Sequence, residues 1–270
     1  MVIHIDPYLL RDPFLLQWYE VTLFISLAVS LMLLWKLAAR YELQPSRALQ
    51  LALVALPGGL IGARLLHVID SYSYYAANPA LALRVWDGGF AQYGMMLGWL
   101  GFALVVNRFW VQLPARRFLD LAPVPLLTGF AIGRMGCLLH GCCFGNATSL
   151  PWGVTFTHPD SLINRVAPEL EGVAVHPVPA YEMILFALLA AALLYLQPRL
   201  RSVPYASFML FLLGHSVIRF GTSFLRHDYT DLQRVGWLTQ AQVIAACLFA
   251  AAVIWLIHYH TKAKAARGTG

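Results

Sequence analysis

Apolar stretches of about twenty residues recur through the chain, and they constrain its fold more than any other feature. A stretch of this length is what an α-helix needs to cross the roughly 30 Å hydrocarbon core of a bilayer. Of the 270 residues, 59% are hydrophobic and only 12% are charged, which excludes an ordinary soluble domain. Backbone groups in a bilayer must be hydrogen-bonded internally, and these stretches are too long for barrel strands. We therefore predict an all-α, polytopic membrane protein.

The limits of the apolar stretches predict seven transmembrane helices in a single membrane domain, residues 1–270. The predicted spans are residues 17–38, 47–69, 93–111, 118–139, 177–196, 204–225 and 235–257. No repeat or low-complexity linker indicates a second domain. The first fifteen residues lack the pattern of a cleavable signal peptide, so we expect the first span to insert the chain.

The placement of Lys and Arg predicts the orientation. The chain has 19 of these residues against 13 Asp and Glu, and most of those outside the predicted spans fall on the side of the C-terminus. The positive-inside rule then makes the C-terminus cytoplasmic, and seven spans put the N-terminus outside. The connections of about residues 70–92 and 141–176 are predicted to be extracytoplasmic, and residues 258–270 a basic cytoplasmic tail. This placement favours membrane lipids as partners and argues against nucleic acid.

Three arginines, Arg64, Arg134 and Arg219, fall inside or at the ends of predicted spans. A charged side chain in hydrocarbon costs several kcal/mol and is tolerated where it faces a cavity, a partner or a ligand. Carboxylates within the spans are too few to pair all three. We expect Arg134 and Arg219 to face one cavity and to share a phosphate, with Arg64 as a third member. Snorkelling, or pairing with an acid such as Glu182, is the alternative.

Four potential metal ligands, Cys137, His140, Cys142 and Cys143, lie in one seven-residue segment that follows Arg134. Thiolates and an imidazole can bind zinc, and an extracytoplasmic disulfide is a second interpretation. Structural zinc sites usually draw ligands from two separated pairs, whereas these lie in one short turn that cannot easily surround a metal. We therefore expect the thiols to be packing residues, and we predict no metal and no cofactor.

The segment of residues 175–182, VHPVPAYE, opens the fifth predicted span. Its prolines suit the start of a helix. Tyr181 and Glu182 lie one turn inside the span, where polar side chains must form hydrogen bonds or face a cavity. We expect Glu182 to anchor a neighbouring arginine.

Five strings resemble, in order and spacing, the bacterial prolipoprotein diacylglyceryl transferases. They are GGLIGARLLHVID, VWDGGFAQYGMMLGW, GRMGCLLHGCCFGNATSLPWGV, HPVPAYE and HSVIRFGTSFLR, and together they extend over almost the whole chain. The most specific element is the signature of residues 133–145 followed by Trp152-Gly153. The resemblance implies a seven-helix enzyme of the bacterial inner membrane. Such an enzyme transfers diacylglyceryl from phosphatidylglycerol to the lipobox cysteine in the signal peptide of a prolipoprotein, releasing glycerol phosphate.

The resemblance also implies roles for particular residues. Arg134 and Arg219 match family arginines suited to a phosphate, Tyr19 matches the tyrosine of a Trp-Tyr pair, and Gly145 closes the signature where the backbone must approach another group. The remaining residues that we expect to bind substrate are Arg64, Gln92, His176, Tyr181, Glu182 and Arg226.

Several polar positions depart from the family pattern. Tyr93 stands where the family often has histidine, and His215 where it usually has tyrosine. A neutral phenol is a weak base, whereas imidazole titrates near neutral pH, so we expect His140 first and His215 second to accept the proton of the acceptor thiol. Both should face the cavity of the two arginines. Two alternatives remain: a paralogue that uses the same lipid site on another acceptor, and a non-catalytic protein that binds or moves lipid.

Overall fold

The computed structural model describes residues 1–12, 15–227 and 234–268, and it leaves out the side chains of Asp87, Arg234, His260 and residues 263–268. The end of the predicted basic tail therefore lies outside the described residues. Most of the described chain is helical. The α-helices are α1 Trp18–Ala38, α2 Pro45–Val54, α3 Leu56–Asp70, α4 Tyr72–Ala77, α5 Gln92–Val106, α6 Ala115–Leu121, α7 Pro123–His140, α8 Leu162–Val166, α9 Val178–Leu200, α10 Ala206–Ser223 and α11 Gln240–Gly268.

Shorter elements connect these helices. Turns of 3₁₀-helix cover Ala39–Tyr41, Pro79–Leu83, Val85–Asp87 and Pro168–Leu170, and a π-helical turn, Asn107–Val111, ends the α5 segment. The strands are β1 Val2–Ile3, β2 Tyr8–Leu10, β3 Leu16–Gln17, β4 Thr155–Phe156, β5 Arg234–Val235 and β6 Leu238–Thr239. They form three two-stranded pairs, β1 with β4 in parallel, and β2 with β3 and β5 with β6 in antiparallel orientation.

Six helical segments of the described chain are long and apolar enough to cross a membrane. They are Trp18–Tyr41, Pro45–Asp70, Gln92–Val111, Ala115–His140, Val178–Leu200 and Gln240–Tyr259, and each corresponds to a predicted span. The prediction of a polytopic helical membrane protein is thus confirmed. The remaining predicted span, residues 204–225, corresponds to α10, which is less apolar because it carries buried His215, Arg219 and several hydroxyl side chains.

Close backbone contact between α3 and α5 depends on four glycines. A Cβ atom on Gly62 would lie 2.3 Å from the Gly94 carbonyl oxygen, and one on Gly98 would lie 2.3 Å from the Gly58 carbonyl oxygen. Small residues allow this approach in membranes, where van der Waals contact and not the hydrophobic effect drives helix association. The packing holds the start of α5, and therefore Gln92 and Tyr93, in a fixed position.

Two hydrophobic cores organise the described part of the chain. The larger one lies among α1, α2, α5, α6, α7, α9 and α10, and includes Leu51, Leu127 and Phe186. The smaller one joins the N-terminus to the connection of residues 141–176, where Ile3, Phe144 and Val175 pack together. This predicted loop is therefore a folded layer that contains β4 and α8, and it lies over the ends of α7 and α9.

Candidate functional site

Glu182, in the first turns of α9, is the centre of a buried charge cluster. Its side chain is 0% exposed. Oε2 forms an ion pair with Arg134 of α7, and Oε1 accepts a hydrogen bond from Arg219 of α10. Thr222 Oγ1 also donates to Oε1, at 2.8 Å. Three helices therefore meet at one carboxylate, and the two arginines leave the cluster with an excess of positive charge.

Arg134 extends the cluster toward α5 and toward the end of its own helix. Its Nη2 donates to Gln92 Oε1 at 2.8 Å, and Gln92 is the first residue of α5. Nη1 lies 3.7 Å from Cys137 Sγ and 3.6 Å from Cys143 Sγ. Cys137 shares a face with Arg134 because residues three apart lie one above the other on a helix.

Arg219 borders an aromatic pocket around His215. The His215 ring is 0% exposed, stacks on Phe186 at 5.5 Å between ring centroids, and meets the edge of Tyr93 at 5.7 Å. Arg219, Arg134 and Glu182 all act on this imidazole electrostatically. Neither His215 nitrogen has a hydrogen-bond partner among the described residues, nor does the buried Arg219 Nε. These polar atoms are available to a ligand or a water molecule.

His140 has a different environment. It lies six residues after Arg134, which is roughly 240° around the helix, and it faces α1. Its ring contacts that of Tyr19 at 5.9 Å, and the residues that act on it electrostatically include Arg165 and Cys143. Of the two predicted proton acceptors, the structure therefore brings His215 to the charge cluster and puts His140 with Tyr19, beside the cysteines.

Arg64 lies apart from the described contacts of the cluster, and its role as a third phosphate ligand stays a prediction. All five of its N–H groups are directed at backbone carbonyls of residues 81–89. Nε donates to Ala82, Nη1 to Gly88 and Gly89, and Nη2 to Leu81 and Arg84. The sequence shows an arginine near a loop but not that the loop folds back over it. Arg64 holds the connection between α4 and α5 in place.

The three cysteines after Arg134 converge, contrary to the expectation that one short turn cannot gather ligands. Their sulfur atoms all lie within 4.8 Å of one another, and all three thiols are free. The helix ends in a Schellman motif: Gly141 adopts a positive φ, the Cys142 N–H donates to the Cys137 carbonyl, and the Gly141 N–H donates to Leu138. This motif returns Cys142 over Cys137.

Cys143 continues the turn with a φ of 58°, which is uncommon for a residue other than glycine. This conformation directs its sulfur back toward the other two. Hydrogen bonds from the Cys137 and Cys142 thiols, supported by Arg226 and Arg134, lower the pKa of the Cys143 thiol well below its ordinary value. Hydrogen bonding and burial raise the pKa of Cys142. A thiolate is therefore favoured at Cys143.

Gly145, His176 and Tyr181 form a second polar region at the start of α9. The Gly145 N–H donates to the His176 carbonyl at 2.9 Å, and a Cβ atom on Gly145 would lie 2.5 Å from His176 Cβ. The expected close backbone approach at this glycine is therefore present. Tyr181 accepts a hydrogen bond from Trp152 Nε1 at 2.8 Å and lies 3.4 Å from His176 Nδ1.

Arg226 joins the two regions. It pairs with Gly145 in an isolated β-bridge and acts electrostatically on Glu182 and on Cys143. Sequence reasoning missed Thr222, which donates to Glu182. The available signal was its spacing of three residues from Arg219, which puts both side chains on one face of α10.

Comparison with known proteins places the chain in a family. The sequence profile of the prolipoprotein diacylglyceryl transferases matches residues 7–258. The chain belongs to this family. The phosphatidylglycerol–prolipoprotein diacylglyceryl transferase of Dehalococcoides mccartyi is 32% identical over 266 residues, which cover 98% of this chain and 97% of that protein. The protein of the same name from Lactiplantibacillus plantarum is 31% identical, with 95% and 91% covered.

A more distant relative with that name, from Bacillus velezensis, is 26% identical over 258 residues. The match therefore extends over the full length and includes all the helices that supply the charge cluster. The chain is a multi-pass membrane transferase of bacteria. The predicted family and enzyme class are confirmed.

Proposed function

We propose that the chain transfers diacylglyceryl from phosphatidylglycerol to the thiol of a prolipoprotein lipobox cysteine and releases glycerol phosphate. Membership of the family, and the names of its relatives, support the reaction. The observation that carries the proposal is the cluster in which Arg134 and Arg219 share Glu182. Two cations against one anion leave an excess positive charge, which complements a phosphate and the charge that grows on it as the leaving group departs.

The same proposal includes one membrane domain with seven spans, of which α10 is the sixth. Its 18 residues extend about 27 Å, and it packs between α9 and α11. Its polar residues are buried in the protein and not exposed to lipid, as expected for intramembrane charges. With the N-terminus outside and the C-terminus in the cytoplasm, the enzyme would lie in the bacterial inner membrane.

With this topology, the residues of the charge cluster all lie on the same side of the membrane. Gln92 begins α5 and Glu182 lies in the first turns of α9, while Arg134 and Arg219 lie in the last turns of α7 and α10. With seven spans, all four helix ends lie on the extracytoplasmic side. The lipobox of a prolipoprotein crosses the membrane to that side, so phospholipid and thiol would meet there.

Of the two candidate histidines, we propose His215 and not His140 as the proton acceptor. Its contact with Tyr93 and its proximity to Glu182, whose carboxylate favours a protonated imidazole, support this choice. Its two nitrogens lack partners within the described residues, so one can accept a proton without breaking an existing bond. Tyr93 would position the imidazole. Tyr19, Gln92, His176, Tyr181 and Arg226 remain proposed substrate contacts.

The deciding experiment supplies purified protein with phosphatidylglycerol and a lipobox peptide, and measures released glycerol phosphate. A peptide with serine in place of the lipobox cysteine is the matched control. Release that requires the cysteine peptide is expected. Binding of the lipid without any release would favour the lipid-binding alternative instead.

The proton acceptor is tested with His215→Phe, which preserves the ring stacking, beside His140→Gln as the comparison. We expect His215→Phe to lose transfer by about 10²-fold or more while retaining lipid binding, since general base catalysis contributes about that much. His140→Gln should retain most of the rate. Full activity and an unchanged pH profile in His215→Phe would exclude this role.

A further inference from the structure

We propose that Cys137, Cys142 and Cys143 bind one Zn²⁺ as thiolates, and that the fourth coordination position takes the thiolate of the acceptor peptide. The second half of this statement rests on the proposed function, whereas the first does not. The main observation that supports the proposal is that the three sulfur atoms lie within 4.8 Å of one another at the end of α7.

The distances are close to those that zinc needs. A tetrahedral Zn²⁺ with Zn–S bonds of about 2.3 Å has sulfurs about 3.8 Å apart. Each pair of sulfurs therefore has to approach by about 1 Å at most, which rotation of the side chains can provide. The Schellman motif and the positive φ of Cys143 already direct the three side chains to one point.

The charge around the cluster also suits a zinc–thiolate complex. Three thiolates and one Zn²⁺ carry a net charge of −1, and Arg134 directs Nη1 at two of the sulfurs. Arg226 acts electrostatically on Cys143 from another side. Hydrogen bonds to the ligating groups orient them and tune a metal site, and Arg134 can donate such bonds here. The arginine that would repel a bare cation therefore stabilises the anionic complex.

The described part of the chain offers three protein ligands at this site. Among the described residues, no other Cys, His, Asp or Glu joins the three sulfurs within that distance. Cys142 and Cys143 are half-buried, so one side of the cluster can be reached from outside. Zinc with three protein ligands typically keeps its fourth position for water or substrate, as catalytic zinc sites do.

The acceptor of the proposed reaction is itself a thiol. When it binds, a Zn–S bond forms, and the zinc-bound water that leaves carries the S–H proton to the acceptor that we assign to His215, which does not itself contact the three cysteines. Zn²⁺ favours this deprotonation strongly. Arg134 contacts both the cysteine sulfurs and Glu182, so the bound thiolate would lie beside the proposed phosphate site. The thiolate then attacks the diacylglyceryl carbon that carries the phosphate. The C–O bond to that phosphate breaks, glycerol phosphate leaves, and the thioether product dissociates from zinc.

The metal site is tested by binding alone. The full chain is purified in detergent, stripped with a chelator, and titrated with Zn²⁺ or with Co²⁺ as a spectroscopic substitute. We expect about one ion per chain, an intense sulfur-to-cobalt absorption band, and loss of both in Cys143→Ser and in Cys142→Ser. The matched control is Cys247→Ser, whose thiol is exposed on α11 and distant in sequence.

Folding of each variant is checked by its melting temperature without metal, and zinc should raise that temperature only in the wild type and in Cys247→Ser. Absence of binding at micromolar free Zn²⁺ in the wild type would overturn the proposal. So would equal loss of binding in Cys247→Ser.

The fourth ligand is tested by adding a lipobox peptide to the cobalt form. A fourth thiolate should intensify the charge-transfer band, and a peptide with serine should not. If the metal-free protein transfers diacylglyceryl at the full rate, the acceptor role fails while the proposed function stands. If the protein binds zinc but never transfers the group, the proposed function fails while the metal site stands.

Discussion

Replacing Glu182 by glutamine tests whether one carboxylate holds three helices together. The substitution preserves shape and removes the negative charge that Arg134 and Arg219 share. Both guanidinium groups are nearly buried, with side-chain exposures of 10% and 6%. The variant would therefore bury two adjacent cations with no compensating anion. A glutamine amide can still accept the Thr222 hydrogen bond, so the charge is the main change.

The expected loss of stability follows from the burial of the two arginines and Glu182. Removing one partner of a buried ion pair costs about 3–5 kcal/mol, because the remaining charge stays buried and unpaired. Glu42 provides a matched control, since it pairs with Arg117 at 2.8 Å but its side chain is 76% exposed. Exposed pairs contribute about 0–1 kcal/mol, so Glu42→Gln should be almost silent.

The assay is thermal unfolding of both variants in detergent, with added phosphatidylglycerol or with a zwitterionic lipid. Glu182→Gln should unfold on the order of 10 °C below the wild type. Phosphatidylglycerol should raise the melting temperature of Glu182→Gln and restore part of this loss. The increase should be larger than in the wild type, because a phosphate can replace the missing carboxylate. Equal melting temperatures for Glu182→Gln and Glu42→Gln would refute the reasoning. Equal effects of the two lipids would refute the phosphate part.

Three further predictions concern packing, the loop and pH. Gly98→Ala should lower the free energy of unfolding by about 1–3 kcal/mol through overpacking, whereas Gly101→Ala on the same helix meets open space and should be neutral, as measured by denaturation. Arg64→Lys cannot replace five directed N–H groups, so hydrogen exchange in residues 81–89 should accelerate by at least tenfold while α11 stays unchanged. A backbone N–H and the Arg11 guanidinium lower the pKa of Asp6 from its ordinary 3.8, so this stabilisation is present above pH 3.8 and is lost as the pH falls through the lowered value. Arg11→Ala should therefore reduce the melting temperature slightly at pH 7, because the pair is exposed, and the difference from the wild type should vanish in acid.

Much of the fold can be predicted from the sequence because the thickness of the hydrocarbon core sets the length that a membrane-spanning helix must have. Six predicted spans correspond to helices of sufficient length and apolar character, and α10 occupies the position of the remaining one, residues 204–225. The family is also legible in the order of the motifs. Arg134, Arg219 and Glu182 can be selected from sequence alone, because a charge inside a span always needs a physical reason.

The sequence could not determine which groups these charges meet. Arg64 and Arg134 look alike as arginines near helix ends, yet one binds loop carbonyls and the other shares a carboxylate with Arg219. Helical periodicity gives the face of a residue on its own helix, but the rotation and partner of each helix depend on packing, such as the glycine contacts of α3 and α5.

The cysteines and histidines also show that the sequence identifies the polar residues but not their partners. Spacing alone argued against convergence of the three thiols, and the backbone conformation at Gly141 and Cys143 brings them together. His140 is adjacent to them in sequence, whereas His215 is distant from them in sequence and lies on α10, one turn before Arg219 of the charge cluster. Sequence determined which residues have to be explained, because burial of polar groups is costly wherever it occurs. Tertiary structure alone decided their partners, because contacts between helices depend on how the whole bundle packs.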